Sequence, residues 1–453
     1  MSKTIRLKKG LDIRLVGEAE KVTANAPISD FYAVKPSDFH GMTPKMVVKP
    51  GEKVKAGTVI FFDKYNEQIK YASPVSGEVT EVVRGEKRRI LEVRIKADSE
   101  MQYEEGRSMD PASMSSEEVK SVILSSGLWP MIKQRPLDIV ANPDNDPKAI
   151  FISAFDSAPL APDYDFVLHG QSEYFQKGLD VISKLTKGKV HLGMNGSTRH
   201  DEAFTGAKGV VQDKFVGKHP VGNVGTQIHH VDPINKNEFV WVINPQDVMI
   251  IGRYFAEGKF DLTKLVALTG SEVKTPKYYR VISGATVKSI VDGGLNDGEN
   301  RIISGNVLTG ENIGQDGFIG FYDNQITVIP EGNEMKFFLT KGWLGLGFDK
   351  FSNSRLFPTF LTPNKKFRLD TNTNGEERGF VVTGEMEKVF PFDIYPMQLI
   401  KASMTNDIDL MESLGIYEVA PEDFALCEYV CTSKIEIQEE IRKGLDLIKK
   451  ECL

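Results

Sequence analysis

Two short, half-similar pieces near the start of the chain constrain its fold more than any other feature. The first runs from Val48 to Ile60 and the second from Ser73 to Val83, and each has the pattern of strand, tight turn, strand. In both pieces Pro or Ser together with Gly supplies the turn, and alternating β-branched residues supply a half-buried strand. This duplicated pattern predicts a small β structure made of two similar halves.

The two pieces together resemble the barrel-sandwich fold of biotinyl- and lipoyl-carrier domains. That resemblance raises one alternative function, an independent carrier protein modified on Lys64, which stands where a lipoyl domain carries its modified lysine. The hairpin that follows Lys64 looks about two residues too long for this role, and no lysine lies between two methionines in this region, as the biotin signature requires. A scaffold that carries no group is the preferred interpretation, and an acyl or biotinyl adduct found by intact mass would overturn it.

Length and composition exclude several classes of protein. The 453 residues are too many for one core and suggest about three or four domains. The 56 basic and 63 acidic residues give a net charge of -7 without a dense Lys/Arg block, which argues against a nucleic-acid partner. The three cysteines all lie in the last 30 residues and fit a reducing compartment. Neither a signal peptide nor a membrane span is predicted, because no apolar stretch is long enough.

The first 30 residues predict a short pair of strands, Ile5–Leu7 and Leu11–Leu15, that leans on the barrel. Beyond a polar linker, Ser115 and Glu118 form a capping box that predicts a helix ending at Gly127. From residue 149 onward strands and helices alternate, which predicts an α/β unit with a mainly parallel sheet. Its predicted strands are 149–155, 165–169, 189–193, 239–243 and 264–268, and its predicted helices are 172–186 and a second that Asn244 caps, with Pro245 in its first turn and its end near Gly258.

Parallel α/β sheets usually bind a nucleotide, but the phosphate-binding loop is missing here. No G-x-G-x-x-G follows a strand, and no G-x-x-x-x-G-K-[ST] occurs anywhere. The unit is therefore predicted to be Rossmann-like without a nucleotide loop.

The second half of the chain predicts a small β-grasp unit and then a helical end. Short strands around Gly turns fill 278–310, and further strands are predicted at 318–322, 325–329 and 379–383. Glycines between 342 and 347 would let an exposed Trp343 and Phe348 approach another group closely, although a place in the core is the default for aromatic side chains. Helices follow from Ile394, the last of them capped by Ser433 and Glu436, with an inward face made of Ile437, Ile441, Leu445 and Ile448.

Two stretches carry the candidate site residues. One holds His219, Asn223, His229 and His230, with the three histidines within twelve residues; the other runs from Phe31 to Met42 and holds Phe31, Phe39 and His40. A metal site would need further ligands at workable spacing, and neither H-E-x-x-H nor a flanking Cys pair is present. Two alternatives stay open for the histidine loop: side chains that satisfy backbone groups, or a contact with a partner or ligand. For the aromatic strip the two alternatives are a cap on the barrel or a surface that faces a ligand or a partner.

Four stretches together resemble one family nearly from end to end, the NqrA family, which is the A subunit of the bacterial Na+-translocating NADH:quinone reductase. They begin at Ala149 (AIFISAFDSAPLA), His219 (HPVGNVGTQIHHVDP), Pro391 (PFDIYPMQLI) and Asp423 (DFALCEYVCTSK). The resemblance implies a peripheral protein on the cytoplasmic face of a six-subunit bacterial inner-membrane complex. Its partners would be the other five subunits (B to F), chiefly the integral-membrane B subunit, and ubiquinone. The complex would use NADH, FAD, FMN, riboflavin, an iron–sulfur cluster and ubiquinone to couple electron transfer to sodium export.

The family is similar to the C subunit of the Rnf complex and to the flavin-binding subunit of complex I, and this sequence departs from both. Only Cys427 and Cys431 stand where the Rnf protein has paired runs of four cysteines, and two thiolates cannot complete a cluster. The flavin glycine loop is missing as well. The expectation is a subunit without a cofactor, a metal or a catalytic residue of its own, which acts in assembly and near the quinone site.

The predicted fold class is α/β plus β, multidomain. The predicted units are N-terminal strands and a barrel-sandwich hybrid at 1–110, a Rossmann-like unit at 111–270, a β-grasp (SLBB-like) unit at 271–330, a β-rich connection at 331–392 and a helical, degenerate ferredoxin-like unit at 393–453.

Overall fold

The computed structural model describes residues 4–333, 337, 339, 346–352 and 358–452. The strands are β1 (Thr4–Arg6), β2 (Glu20–Asn25), β3 (Phe31–Val34), β4 (Pro44–Met46), β5 (Lys53–Val54), β6 (Val59–Asp63), β7 (Asn66–Ala72), β8 (Gly77–Arg84), β9 (Ile90–Ala97), β10 (Lys133–Arg135), β11 (Ile139–Val140), β12 (Ala149–Ser153), β13 (Lys189–Asn195), β14 (Val211–Val216), β15 (Val240–Val242), β16 (Thr263–Thr269), β17 (Lys277–Ile282), β18 (Asn300–Ser304), β19 (Glu311–Asn312) and β20 (Gln325–Pro330). The helices are α1 (Ser116–Ser126), α2 (Tyr164–Val167), α3 (Ser172–Ser183), α4 (Glu202–Thr205), α5 (Val224–Val231), α6 (Pro245–Glu257), α7 (Lys288–Val291), α8 (Met386–Val389), α9 (Pro396–Met404), α10 (Ile408–Ser413), α11 (Ala425–Val430) and α12 (Ile437–Cys452).

A seven-stranded sheet forms the centre of the α/β domain, in the order β1-β14-β13-β12-β15-β10-β11. The strands from β1 to β15 are parallel, and β10 and β11 add an antiparallel edge. The fully buried β12 run Ala-Ile-Phe-Ile is what a sheet covered on both faces requires. The predicted α/β class with a mainly parallel sheet is confirmed.

Helices α3 and α6 pack against each other through glycines. A Cβ on Gly252 would overlap the carbonyl oxygen of Tyr174, and a Cβ on Gly178 would overlap the carbonyl oxygen of Val248. The two backbones approach this closely because neither position carries a side chain. Asn244 starts α6, accepting a hydrogen bond from the Gln246 N–H at 3.0 Å.

The barrel-sandwich unit consists of two small sheets, β3-β9-β8-β5 and β4-β6-β7. Strands β6 and β7 are joined by the two residues Lys64 and Tyr65, with Asp63 opposite Asn66. The prediction that this hairpin is about two residues too long for a carrier domain is therefore wrong. The turn is tight, because the Asp63 carboxylate accepts the Tyr65 N–H at 3.1 Å. Lys64 is exposed at its tip.

A six-stranded sheet in the order β19-β18-β20-β16-β17-β2 forms the β-grasp part of the molecule. The pairing of the strands corrects two assignments. Strand β16 pairs with β17 and β20 and does not enter the parallel sheet. The expected N-terminal strand pair on the barrel is wrong: its first segment forms β1, which extends the parallel sheet beside β14, whereas its second segment, Leu11–Leu15, forms no strand and makes an isolated bridge from Leu15 to Phe367. Backbone hydrogen bonds with distant strands decide where these short segments lie.

Three predicted strands take other conformations. The 165–169 stretch contains helix α2, because the Asp163 carboxylate caps it by accepting the Phe166 N–H. At 318–322 two backbone N–H groups that would pair with a neighbouring strand are bonded to side chains instead. The Asp38 carboxylate accepts the Phe321 N–H, and the Ser304 hydroxyl accepts the Gly320 N–H. The 379–383 stretch has no strand partner within the described ranges.

The C-terminal helices enclose a second core. Ile437, Ile441, Leu445 and Ile448 are all buried, as predicted for α12. The predicted Ser433 cap is wrong, because helix α12 begins only at Ile437 and the Ser433 hydroxyl donates to the Gly379 carbonyl at 3.0 Å. Trp343 lies outside the described residues, whereas Phe348 is exposed. Among the described helices none is both long and apolar enough to cross a membrane.

Candidate functional site

A cavity with a volume of about 210 Å³ opens at the carboxyl ends of β12 and β15. In parallel α/β sheets ligands bind at this edge. Three parts of the chain line the cavity: the α/β domain, the loops at 306–309 and at Tyr322 of the β-grasp part, and Glu422 of the C-terminal helices. It therefore lies at a junction of domains, where binding sites for small molecules are common.

The cavity combines apolar walls with a small set of polar groups. The apolar part is built from Met131, Phe155, Val242 and Ile243 together with the ring of Tyr322. The polar groups nearest to the ends of the parallel strands are Asp156, Tyr164, His219, Asn223, Asn244 and Asp247. Two of these, His219 and Asn223, were predicted from the sequence.

His219 is 4% exposed and is held from two sides. Its backbone N–H donates to the Asp12 carboxylate at 2.9 Å, and its Nδ1 lies 3.0 Å from the Ser157 hydroxyl. That hydroxyl already accepts the Gly222 N–H, so we assign its own hydrogen to His219 Nδ1, which leaves the ring proton on Nε2. Burial lowers the pKa of His219 to about 4, so the ring is neutral at neutral pH.

Tyr164 and Asp247 were not predicted as site residues from the sequence. The Tyr164 hydroxyl accepts the side-chain N–H groups of Asn244 and Asn324 at 2.8 and 3.3 Å, and its own hydrogen stays available to the cavity. Burial raises the pKa of Tyr164. Asp247 lies in the first turn of α6 and is 6% exposed. The one available signal was the cap at Asn244 and Pro245, which fixes the start of α6 but does not show that this turn is buried.

A buried ion-pair cluster, defined by Arg135, Glu422 and Asp423, closes one side of the site. The guanidinium of Arg135 is 1% exposed and contacts Asp423 at 2.5 Å and Glu422. Gly225, in the first turn of α5, lies against both Arg135 and Asp423, where any side chain would overlap them. The ion-pair cluster thus connects the C-terminal helices to the N-terminal end of α5, next to Asn223.

His229 and His230 lie on helix α5, not in a loop as predicted, and neither lines the cavity. Nδ1 of His229 lies 2.7 Å from the Glu418 carboxylate, and its Nε2 accepts the Asp393 N–H at 2.9 Å. Nδ1 of His230 lies 2.8 Å from the Thr226 carbonyl. These contacts correspond to the alternative in which the histidines satisfy groups of the chain itself.

The aromatic strip lies at another junction. Phe39 is 2% exposed, and its ring packs against Tyr71 of the barrel and Phe321 of the β-grasp part, with centroids 4.5 and 4.9 Å apart. It borders a separate cavity of about 20 Å³. Phe31 is partly exposed on β3, and His40 contacts the Asp446 carboxylate at 2.7 Å.

The donor groups present do not fit a cluster or a phosphate. Within the described residues no three His, Cys, Asp or Glu side chains are grouped as a metal site. Cys427 and Cys431 are buried, and burial raises the pKa of the Cys427 thiol well above its usual range, which disfavours the thiolate that iron binding needs. The side chains at the strand ends include two acids, Asp156 and Asp247, and neither offers the positive charge that a phosphate requires.

Comparison with known proteins gives a consistent result. Three family models match: an "NqrA N-terminal barrel-sandwich hybrid domain" over 5–98, an "NqrA second alpha/beta domain" over 114–260 and an "NQRA C-terminal domain" over 265–314. The chain is 38% identical over 450 residues to the A subunit of the Na(+)-translocating NADH-quinone reductase of Neisseria meningitidis, covering 99% of this chain and 100% of that one. It is 37% identical, with the same coverage, to the protein of that name from Hahella chejuensis.

A solved NAD+-reducing [NiFe]-hydrogenase is 12% identical, with 68% of this chain and 56% of the other covered, at a TM-score of 0.31.

Proposed function

Since this chain belongs to the NqrA family, the A subunit of the Na(+)-translocating NADH-quinone reductase, we propose that it has no redox group of its own and assembles with the B to F subunits on the cytoplasmic face of the inner membrane. NADH, FAD, FMN, riboflavin, the iron–sulfur cluster and the sodium path would then belong to the partners. The misfit of its donor groups to a cluster or a phosphate supports this division. The match over the whole length favours a place in the complex over an independent carrier modified on Lys64.

We further propose that the junction cavity holds or borders the ubiquinone head group. The observation that carries the proposal is the combination of apolar walls with a few polar groups at the carboxyl ends of β12 and β15. A quinone ring needs apolar surfaces on both faces and hydrogen-bond donors at its two carbonyl oxygens. The Nε2–H assigned to His219 and the hydroxyl of Tyr164 are neutral donors of that kind.

Replacing His219 by phenylalanine should weaken quinone binding by about fivefold, since one hydrogen bond contributes roughly 1 kcal/mol. The measurement is the KM for quinone of the purified complex, together with its sensitivity to a quinone-competitive inhibitor. His219→Gln, which can place an amide N–H near the position of Nε2, should recover part of the loss. NADH oxidation by an artificial electron acceptor should stay unchanged in both variants.

The variant Phe39→Leu tests whether the quinone binds in the junction cavity or at the aromatic strip. Its ring lies in the core beside the smaller cavity, so we expect it to change thermal stability and not the quinone KM. A larger change in the quinone KM for Phe39→Leu than for His219→Phe would place the quinone at the aromatic strip. Loss of the whole chain from the complex in both variants would indicate that these segments are partner interfaces and would refute the quinone assignment.

The chain expressed alone should be colourless and free of iron. The reasons are the missing phosphate loop and the buried pair Cys427 and Cys431. Visible absorbance and metal analysis of the purified chain measure this directly. A stoichiometric flavin spectrum, or iron that stays bound through purification, would contradict the proposal that all redox groups lie in the partners.

A further inference from the structure

Asp247 is a buried carboxylate that the fold leaves without a hydrogen bond. Only desolvation and the charge of Lys264 act on its titration, and no donor within the described ranges bonds to it. Most buried carboxylates accept hydrogen bonds, because an unpaired one is costly. Asp247 faces the junction cavity from the first turn of α6. A group kept in this position at such a cost points to a function in the cavity.

The groups around Asp247 come from several elements. Lys264 on β16 is 3% exposed, and its Nζ donates to the Phe321 carbonyl at 2.8 Å. Tyr164 on α2 and Tyr322 of the β-grasp part both sense the charge of Asp247. The same cavity is also lined by Asp156, Glu422 and the pair Lys133 and Asp138, whose side chains meet at 2.5 Å.

We propose that Asp247 delivers a proton to a carbonyl oxygen of the quinone in this cavity, an inference that rests on the proposed function. Reduction of a quinone to the quinol takes two electrons and two protons. The electrons come from NADH through the partner subunits. The O–H bond of Asp247 breaks as an O–H bond forms on the reduced quinone oxygen, and Asp247 becomes a carboxylate. Water takes part twice: it reprotonates Asp247 and supplies the second proton.

The other polar groups of the cavity suit this step less well. His219 is neutral at neutral pH, because burial lowers its pKa to about 4. Tyr164 has a raised pKa, so its hydroxyl can donate a hydrogen bond to a quinone oxygen but keeps its proton. Asp156 already accepts the Ala158 N–H at 2.8 Å. Burial raises the pKa of Asp247 to about 7, so that a large share of this carboxyl is protonated at neutral pH, while Lys264 stabilises the carboxylate that remains after transfer.

The test is Asp247→Asn in the complete complex. Asparagine keeps the shape and cannot supply the proton, so the kcat of quinone reduction should fall about 100-fold, as for loss of a general acid. The quinone KM should change less than about threefold, and NADH oxidation by an artificial acceptor should be unaffected. In the wild type, quinone reduction should decline as the pH rises through about 7, since Asp247 loses its proton there; this limb should flatten in the variant.

Asp146→Asn is the control, because it removes an exposed carboxylate of the same domain that does not line the cavity; it should leave kcat within about threefold. An unchanged kcat in Asp247→Asn together with a raised quinone KM in His219→Phe would refute the proton role and leave the proposed function standing. Unchanged quinone kinetics in both would refute the quinone assignment itself. Should Asp247→Asn fail to assemble, Asp247→Glu decides: a displaced pH limb supports the inference, and an identical limb overturns it.

Discussion

Replacing Gly252 by alanine should destabilise the α/β domain by roughly 3 kcal/mol, the upper end of what overpacking usually costs. Its Cβ would overlap the Tyr174 carbonyl oxygen and come within 2.6 Å of the Gly178 nitrogen. Both atoms belong to the backbone of α3 and cannot move aside as a flexible side chain could, so the two helices must separate. Urea denaturation followed by tryptophan fluorescence measures the effect, since Trp129 and Trp241 are buried in this domain.

Gly379→Ala is the control, because a Cβ there meets nothing within 4 Å; its effect should stay within about 0.5 kcal/mol. The sign of the Gly252 result is informative. In a helix with free space, alanine is more favourable than glycine by about 1 kcal/mol. A stabilised Gly252→Ala protein would mean that the helices do not approach each other through their glycines.

Local signals predicted the ends of α1 and α6 correctly. Ser115 and Glu118 form the capping box of α1, with both reciprocal hydrogen bonds present. Gly127 and Gly258 end α1 and α6 in the left-handed conformation, with φ of 80° and 71°. Each of these signals involves residues within one or two turns, so the sequence contains all the information that the boundary needs.

Strand membership was much harder to predict, because it depends on partners far along the chain. The 264–268 stretch is a strand as predicted, yet it pairs with β17 and β20. Strand β1 pairs with β14, about 200 residues later. Nothing within these short apolar runs shows which distant edge will accept their hydrogen bonds.

The candidate site likewise combines residues that the sequence could indicate with one that it could not. His219 and Asn223 stood out because they lie in a segment rich in Gly and polar residues, and the fold brings both to the cavity. Asp247 is one acidic residue in the first turn of a helix, a position where carboxylates are common for reasons of helix stability alone. The cavity that it faces is lined in part by Tyr322 and Glu422, which lie far from it in the sequence, so no local pattern could indicate this site.

Replacing Arg135 by methionine should cost about 3–5 kcal/mol, the second large effect we expect. The substitution leaves the Asp423 carboxylate buried, without the guanidinium that it contacts at 2.5 Å. Asp423 has no exposed side-chain surface, so water cannot replace the lost partner. Thermal unfolding, together with hydrogen exchange of α11 and α12, would show loss of the C-terminal helices before the rest of the fold.

The pH dependence and a double variant test the cause of that loss. In Arg135→Met the uncompensated Asp423 should take up a proton as the pH falls, so the destabilisation should shrink towards acidic pH. Arg135→Met combined with Asp423→Leu removes both charges and should recover most of the stability, because an apolar pair replaces a buried ion pair at little cost. Equal losses in the single and double variants would mean that packing of the Arg135 side chain, and not its charge, holds the domains together.

Gly225 at the start of α5 lies against both charged groups. We therefore also expect the single variant to disturb the neighbouring Asn223 and so to raise the quinone KM, and the double variant to lower the KM again.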